Sequence, residues 1–165
     1  MGMNIDKALN KDTTINILVV DDDCQITDML KDYLVGRGYA VTAVYGGREA
    51  LDAFFTGNFH IVIVDMKMPD VDGMAILKSV RKTDQAAVVI MITGYASTDS
   101  AVEAINFGAY DYIAKPFKWE HLDVVLRRAI ERYRSKKQIA VYRGLVWISA
   151  LPILILIGLL VFRSF

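Results

Sequence analysis

Ile15-Asn16-Ile17-Leu18-Val19-Val20-Asp21-Asp22-Asp23 passes from a β-rich apolar run straight into three consecutive carboxylates. A short apolar run that ends in polar residues reads as a buried strand. Three carboxylates at the end of such a strand repel one another, and burying their charge is costly without a compensating partner. A hard divalent cation with oxygen ligands supplies that compensation. Two more stretches end an apolar run in the same way. They are Val64-Asp65-Met66-Lys67-Met68-Pro69 and Ala114-Lys115-Pro116-Phe117.

Outward from this cluster, short β-rich runs alternate with helix-period segments from Ile15 to about Tyr133. The strands are expected at Asn16–Val20, Ala40–Tyr45, His60–Val64, Ala87–Ile92 and Asp111–Ala114, mostly apolar on both faces, as buried parallel strands are. Between them, Ile26, Met29, Leu30, Tyr33 and Leu34 recur at helical offsets and are closed by Gly36 and Gly38. Further helices are expected over Arg48–Phe55, from Gly73 to about Lys82, over Thr98–Phe107, and on the face formed by Leu122, Val125, Leu126, Ala129, Ile130 and Tyr133. This alternation predicts an α/β fold, a doubly wound five-stranded parallel sheet with helices on both faces. In such sheets the site forms beyond the carboxyl ends of the strands, where Asp21–Asp23, Asp65, Thr93 and Lys115 all fall.

Each of these residues has a chemical role available to it. One or two carboxylates of the acidic cluster together with Asp65 suit Mg²⁺, with backbone carbonyl and water completing the shell. Asp65 stands alone on its strand end and can attack a phosphoryl group. The Lys115 ammonium then neutralises phosphoryl oxygens, and the Thr93 hydroxyl donates a hydrogen bond to one of them.

Four motifs, in order and at strand ends, resemble the receiver domain of response regulators in two-component phosphorelays, of the flavodoxin-like type. They are Val19-Val20-Asp21-Asp22-Asp23, Asp65-Met66-Lys67-Met68-Pro69-Asp70-Val71-Asp72-Gly73, Thr93-Gly94, and Tyr112-Ile113-Ala114-Lys115-Pro116-Phe117. The resemblance implies that Asp65 is the phosphoacceptor, Asp22 a direct Mg²⁺ ligand, Asp21 a ligand through water, and the Lys67 carbonyl the backbone ligand. It further implies that Thr93, Lys115 and Tyr112 bind phosphate and switch, and that the Lys115–Pro116 bond is cis. A sensor histidine kinase or phosphotransfer protein is the implied phosphodonor, and no turnover beyond self-phosphorylation and self-dephosphorylation is expected. Lys67 and Tyr95, two residues after Asp65 and Thr93, are expected to flank the path of attacking water and slow dephosphorylation. A dimer through the fourth-helix to fifth-helix face is a further expectation.

Blander readings stand beside these. Asp23 suits an N-cap of the first helix better than a ligand, and Pro69 and Gly73 shape the loop after Asp65. Tyr112 alone would be core, and Thr93 alone a turn residue. His60 and His121 read as partly exposed scaffold, and Cys24, the single cysteine, as a small residue opening a helix. Two functional rivals also remain. One is a phosphate shuttle without an output of its own. The other is an aspartate-based phosphohydrolase resembling haloacid dehalogenases, whose Asp-x-Asp motif Asp21-Asp22-Asp23 half fits; Gln25 then stands where Thr or Val is usual, and no cap domain is present.

Composition divides the chain. The 165 residues have a formal net charge of +0, yet residues 1–118 hold 11 Lys/Arg against 16 Asp/Glu, and residues 119–165 hold 8 against 3. Residues 1–14 form a polar arm, expected to be disordered and without signal-peptide character. Residues 15–133 form the receiver-like domain, and 134–143 a basic juxtamembrane linker. Gly144 to Phe162 is 19 residues without an ionisable side chain, about 28 Å long as a helix and close to bilayer thickness. Trp147 suits an interface anchor, and Pro152 is tolerated within membrane spans. Seven basic residues precede this segment and one follows it. The expectation is therefore a C-terminal transmembrane helix in the bacterial inner (cytoplasmic) membrane, with the receiver domain in the cytoplasm. The basic stretch lacks a second helix, so no direct nucleic-acid contact is expected from it.

Overall fold

The computed structural model describes residues 14–139. The polar arm before residue 14 and the expected membrane segment 144–162, with Gly144, Trp147, Pro152 and Phe162, lie outside the described residues. Among the described residues, no helix is long and apolar enough to cross a membrane.

Five strands form one parallel sheet in the order β2-β1-β3-β4-β5. They are β1 (Asn16–Val20), β2 (Ala40–Val44), β3 (Ile61–Asp65), β4 (Val88–Thr93) and β5 (Asp111–Ala114). The helices are α1 (Cys24–Gly36), α2 (Gly47–Thr56), α3 (Gly73–Thr83), α4 (Thr98–Asn106) and α5 (residues 119–139). Strand order reverses beside β1, so the crossovers to either side place helices on opposite faces of the sheet.

The period-two alternation of the central strands sorts their side chains into two cores. Ile17 and Val19, Ile61 and Ile63, and Ile90 and Ile92 join Leu30, Leu34 and the α5 residues Leu122, Val125 and Leu126 on one face. Leu18 and Val20, Val62 and Val64, and Val89 and Met91 meet Ala50, Phe54, Ile76, Leu77 and Ala104 on the other. Ile17, Leu18, Ile61 and Ile90 are fully buried, and truncating any of them to alanine costs about 2–5 kcal/mol by the usual scale for buried aliphatics. The edge strand β2 departs from the sequence reading. Only Val44 of its five residues is buried, because an edge strand is covered on one face and solvated on the other.

Local chemistry sets the helix ends. The Asp23 carboxylate accepts from Gln25 N at 2.9 Å and Ile26 N at 3.3 Å, which makes it the N-cap of α1. Asp72 caps α3 through Ala75 N at 2.7 Å, and Ser97 and Ser100 form a reciprocal capping box at the start of α4. Gly38, at φ +88°, lets the chain leave α1 in a left-handed conformation that a β-carbon disfavours.

Strand ends shift by one residue from the sequence reading, and two of the shifts matter at the site. Asp65 pairs with Ile92 as the last residue of β3, and Thr93 pairs with Ala114 as the last residue of β4. Ladder pairing thus extends into both polar residues and makes them rigid strand ends. Helix α5 continues through residue 139, six residues into the stretch the sequence set apart as a linker. His60 is buried at 2% exposure, not scaffold at the surface. Its Nδ1 accepts from Asn16 N at 3.1 Å and its ring lies 4.6 Å from that of Tyr133.

Candidate functional site

The carboxyl edge of the sheet carries a cleft of about 570 Å³ lined by Asp21, Asp22, Asp65, Lys67, Tyr95 and Lys115, among others. Asp21 follows β1, Asp65 ends β3 and Lys115 follows β5, so three parallel strands deliver these groups to one point. Asp21 and Asp65 are 3% and 5% exposed. The Lys115 ammonium sits between them, donating to Asp21 Oδ2 at 2.5 Å and to Asp65 Oδ1 at 2.6 Å. A lysine 94 positions from one acid and 50 from the other thereby bridges both.

The electrostatics follow from burial and pairing. Burial pushes the Asp21 carboxyl above its ordinary range, by more than the hydrogen bonds from Lys115 and Asp23 pull it down. Burial alone lowers the Lys115 pKa, but its hydrogen bonds to Asp21 and Asp65 outweigh that and raise it above the ordinary lysine value. Lys115 therefore remains a cation at neutral pH. Neighbouring groups hold the carboxylates in place. Asp21 Oδ1 accepts from Asp23 N at 3.1 Å, Thr27 Oγ1 donates to the Asp21 carbonyl at 3.0 Å, and Asp65 Oδ2 accepts from Lys67 N at 2.6 Å.

Asp22 is exposed beside this pair, and the Lys67 backbone is tied to Asp65. Among the described residues, no three acidic, histidine or cysteine side chains converge closely enough to hold a metal by themselves. The donor set nonetheless fits Mg²⁺, which binds through one or two carboxylates and keeps several waters. Asp22, Asp65 and the Lys67 carbonyl are hard oxygen donors, and the four carboxylates of Asp21, Asp22, Asp23 and Asp65 line the cleft with one bridging ammonium.

Thr93 and Tyr112 lie away from the cleft lining. Thr93 is fully buried, and its hydroxyl oxygen accepts from Tyr95 N at 3.1 Å. Tyr112 is half-buried, with its hydroxyl 2.9 Å from Ser100 Oγ in the capping box of α4. The Lys115–Pro116 peptide bond is cis. His121 is exposed on α5 and takes no part in the site.

Two supporting residues escaped the sequence reading. Asp70 accepts from Arg48 N at 2.9 Å and Gly47 N at 3.0 Å, pinning the loop after Asp65 to the first turn of α2. The backbone N–H groups of Arg48, Val71 and Gly47 lower its pKa to about 2. Ser100 joins β5 to α4 through Tyr112. Asp70 and Ser100 act across 20 and 12 residues or more, and no local pattern marks such partners.

Residues 17–127 match the family model described as response regulator receiver domain. The chain belongs to the receiver family. This receiver is 37% identical over 128 residues to the regulatory protein AtoC of Escherichia coli K12, covering 77% of this chain and 28% of that protein. It is 36% identical over 120 residues to the DNA-binding transcriptional regulator NtrC of Klebsiella pneumoniae, covering 73% of this chain and 26% of that protein. A crystal structure of a response regulator receiver domain protein from Clostridium thermocellum superposes with a TM-score of 0.69 at 34% identity, over 73% of this chain and 97% of that one. The chain thus spans about a quarter of the length of these two regulators. Receiver domains accept a phosphoryl group on an aspartate and bind Mg²⁺ at that position.

Proposed function

We propose that Asp65 is the phosphoacceptor of this receiver, supplied by a sensor histidine kinase or a phosphotransfer protein. The observation that carries the assignment is the Lys115 ammonium held 2.6 Å from the buried Asp65 carboxylate at a strand end. An Asp65 oxygen attacks phosphorus, an O–P bond forms, and the bond from phosphorus to the donor's imidazole nitrogen breaks. Lys115 meets the charge of the incoming phosphoryl oxygens, and the Thr93 hydroxyl, whose oxygen accepts from Tyr95 N, donates its own O–H to one of them. Asp22, Asp65 and the Lys67 carbonyl, with Asp21 through water, would hold Mg²⁺, which when bound neutralises charge on the phosphoryl oxygens. The chain labels itself and turns over no external ester.

Output runs through β5 and α4, because Tyr112 and Ser100 join them by a hydrogen bond 2.9 Å long. Phosphorylation at the cleft biases that pair as a local charge change acting on a two-state element. A linked conformational element favours signalling output over a shuttle role. Also on α4, Val102 and Ile105 stand three residues apart and are 54% and 48% exposed, which suits a second copy docking through α4 and α5.

Residues 144–162, without an ionisable side chain, tether the receiver to the cytoplasmic face of the inner membrane. The test is Mg²⁺-dependent labelling with acetyl phosphate on wild type and Asp65→Asn, followed by membrane fractionation. Labelling is expected in wild type only, and the chain is expected with the membranes. Labelling that survives the substitution refutes Asp65, steady release of phosphate from a generic ester favours a phosphohydrolase, and a soluble full-length chain refutes the tether.

A further inference from the structure

At the opposite edge of the sheet from Asp65 lies a groove of about 1070 Å³. It is bounded by the last turns of α3 and α4, by residues 132–139 of α5 and by the residues that lead into β4 and β5, and Arg81, Arg132 and Lys136 all line it. Among the described residues none of the three forms an ion pair. Asp84 is the acid nearest to them in effect, and it is engaged with Ala86 N at 2.7 Å. Arg81 and Lys136 contact backbone carbonyls of the 85–87 turn, Lys136 at 2.6 Å from the Gln85 oxygen. Holding that turn accounts for only part of their capacity. Arg81 Nη1 and Nη2 each make one such contact and keep a second N–H, Lys136 keeps two further donors, and burial together with the charges of Arg81 and Arg132 lowers the Lys136 pKa. Three cations drawn together in this way are stabilised by an anion.

The position of the groove points to the source of that anion. Ile139, also in the lining, is five residues before Gly144, where the stretch without ionisable side chains begins. Five residues span at most about 18 Å even when fully extended. We infer that the groove formed by Arg81, Arg132 and Lys136 receives the phosphate of an anionic phospholipid headgroup at the membrane surface. This rests on the tethering proposed above. It also orients the domain: with the amino edge of the sheet against the bilayer, the Asp65 cleft on the carboxyl edge stays open to a phosphodonor.

The test uses the full chain in nanodiscs of phosphatidylcholine alone or of an equimolar mixture with phosphatidylglycerol. Amide hydrogen exchange across residues 84–89 and 106–110 is expected to slow several-fold in the anionic discs. Arg132→Gln with Lys136→Gln removes that difference. Arg127→Gln with Arg128→Gln, the same loss of charge on exposed α5 positions outside the groove lining, leaves it. Equal loss in both pairs means diffuse attraction to a basic helix and overturns the groove. If the first pair melts early, Arg132→Gln alone replaces it, with a loss of affinity of about five-fold for one cation near an anionic surface. Inorganic phosphate that slows the same amides in neutral discs makes a free anion the occupant and overturns the lipid. Flotation with neutral vesicles reports the tether separately. A chain that fails to float is compared with added vesicles of the two compositions, where protection by phosphatidylglycerol supports the groove and equal exchange overturns it.

Discussion

Replacing Gly73 by alanine should disable the Asp65 cleft although neither residue's side chain changes chemistry at the reacting atoms. Gly73 opens α3 directly behind the phosphoacceptor, and a β-carbon there would lie 2.2 Å from the Asp65 carbonyl oxygen and 3.0 Å from the Met66 α-carbon. The obstacle is backbone, so no side-chain rotation can clear it. Merely reaching 3.0 Å requires the Asp65 carbonyl or the helix start to move by about 0.8 Å. Misplacement of a reacting group by about 1 Å costs on the order of 10²-fold in rate. Overpacking of this kind costs about 1–3 kcal/mol of stability. Gly73→Ala is therefore expected to label with acetyl phosphate roughly 10²-fold more slowly and to melt several degrees lower. Gly36→Ala is the control. Nothing lies within 4 Å of its added β-carbon, and in a helical position it should stabilise by up to about 1 kcal/mol. The assay is a labelling time course at saturating Mg²⁺, alongside thermal melting monitored by circular dichroism. A folded Gly73→Ala chain that labels within about three-fold of wild type, far short of the cost of such a shift, would refute the reasoning.

Tyr95 is 76% exposed and lines the Asp65 cleft, so Tyr95→Ala should open the path of attacking water and accelerate dephosphorylation; an unchanged phosphate-release time course removes the idea. Asp70, held near a pKa of about 2 by backbone N–H groups of Arg48, Val71 and Gly47, contributes stability that is present above the unfolded carboxylate value of about 3.9 and lost as pH falls toward 2. Asp70→Asn should therefore lower the melting temperature at pH 6, with the gap to wild type closing near pH 2.5; a constant gap contradicts the linkage. His60 has its pKa lowered by burial and by Lys137, so the unfolded chain binds the extra proton and stability falls as pH drops below about 6.5. His60→Gln should flatten that acid limb of the melting curve, and an unaltered limb assigns it to other groups.

The central strands were legible because each is apolar on both faces, and the rule that sites form beyond strand carboxyl ends needed nothing more than their order. Asp21, Asp65 and Lys115 followed from that rule. The apolar run of β2 reads as buried although only Val44 is, since composition does not say which strand lacks a neighbour. His60 differs from its sequence reading for a related reason. A histidine beside a strand looks solvated until Tyr133, 73 positions later, covers its ring.

Local chemistry thus determined the elements, the capping of α1 by Asp23, and the gathering of carboxylates at one edge, because these depend on periodicity and on neighbours a few residues apart. Tertiary structure decided the rest. It set Lys115 between Asp21 and Asp65, pinned the Asp65 loop to α2 through Asp70, tied Tyr112 to Ser100, and drew Arg81, Arg132 and Lys136 into one groove. Each of these contacts spans about a dozen residues or more, and whether such groups meet depends on how the helices pack across the sheet, which no local pattern of residues encodes.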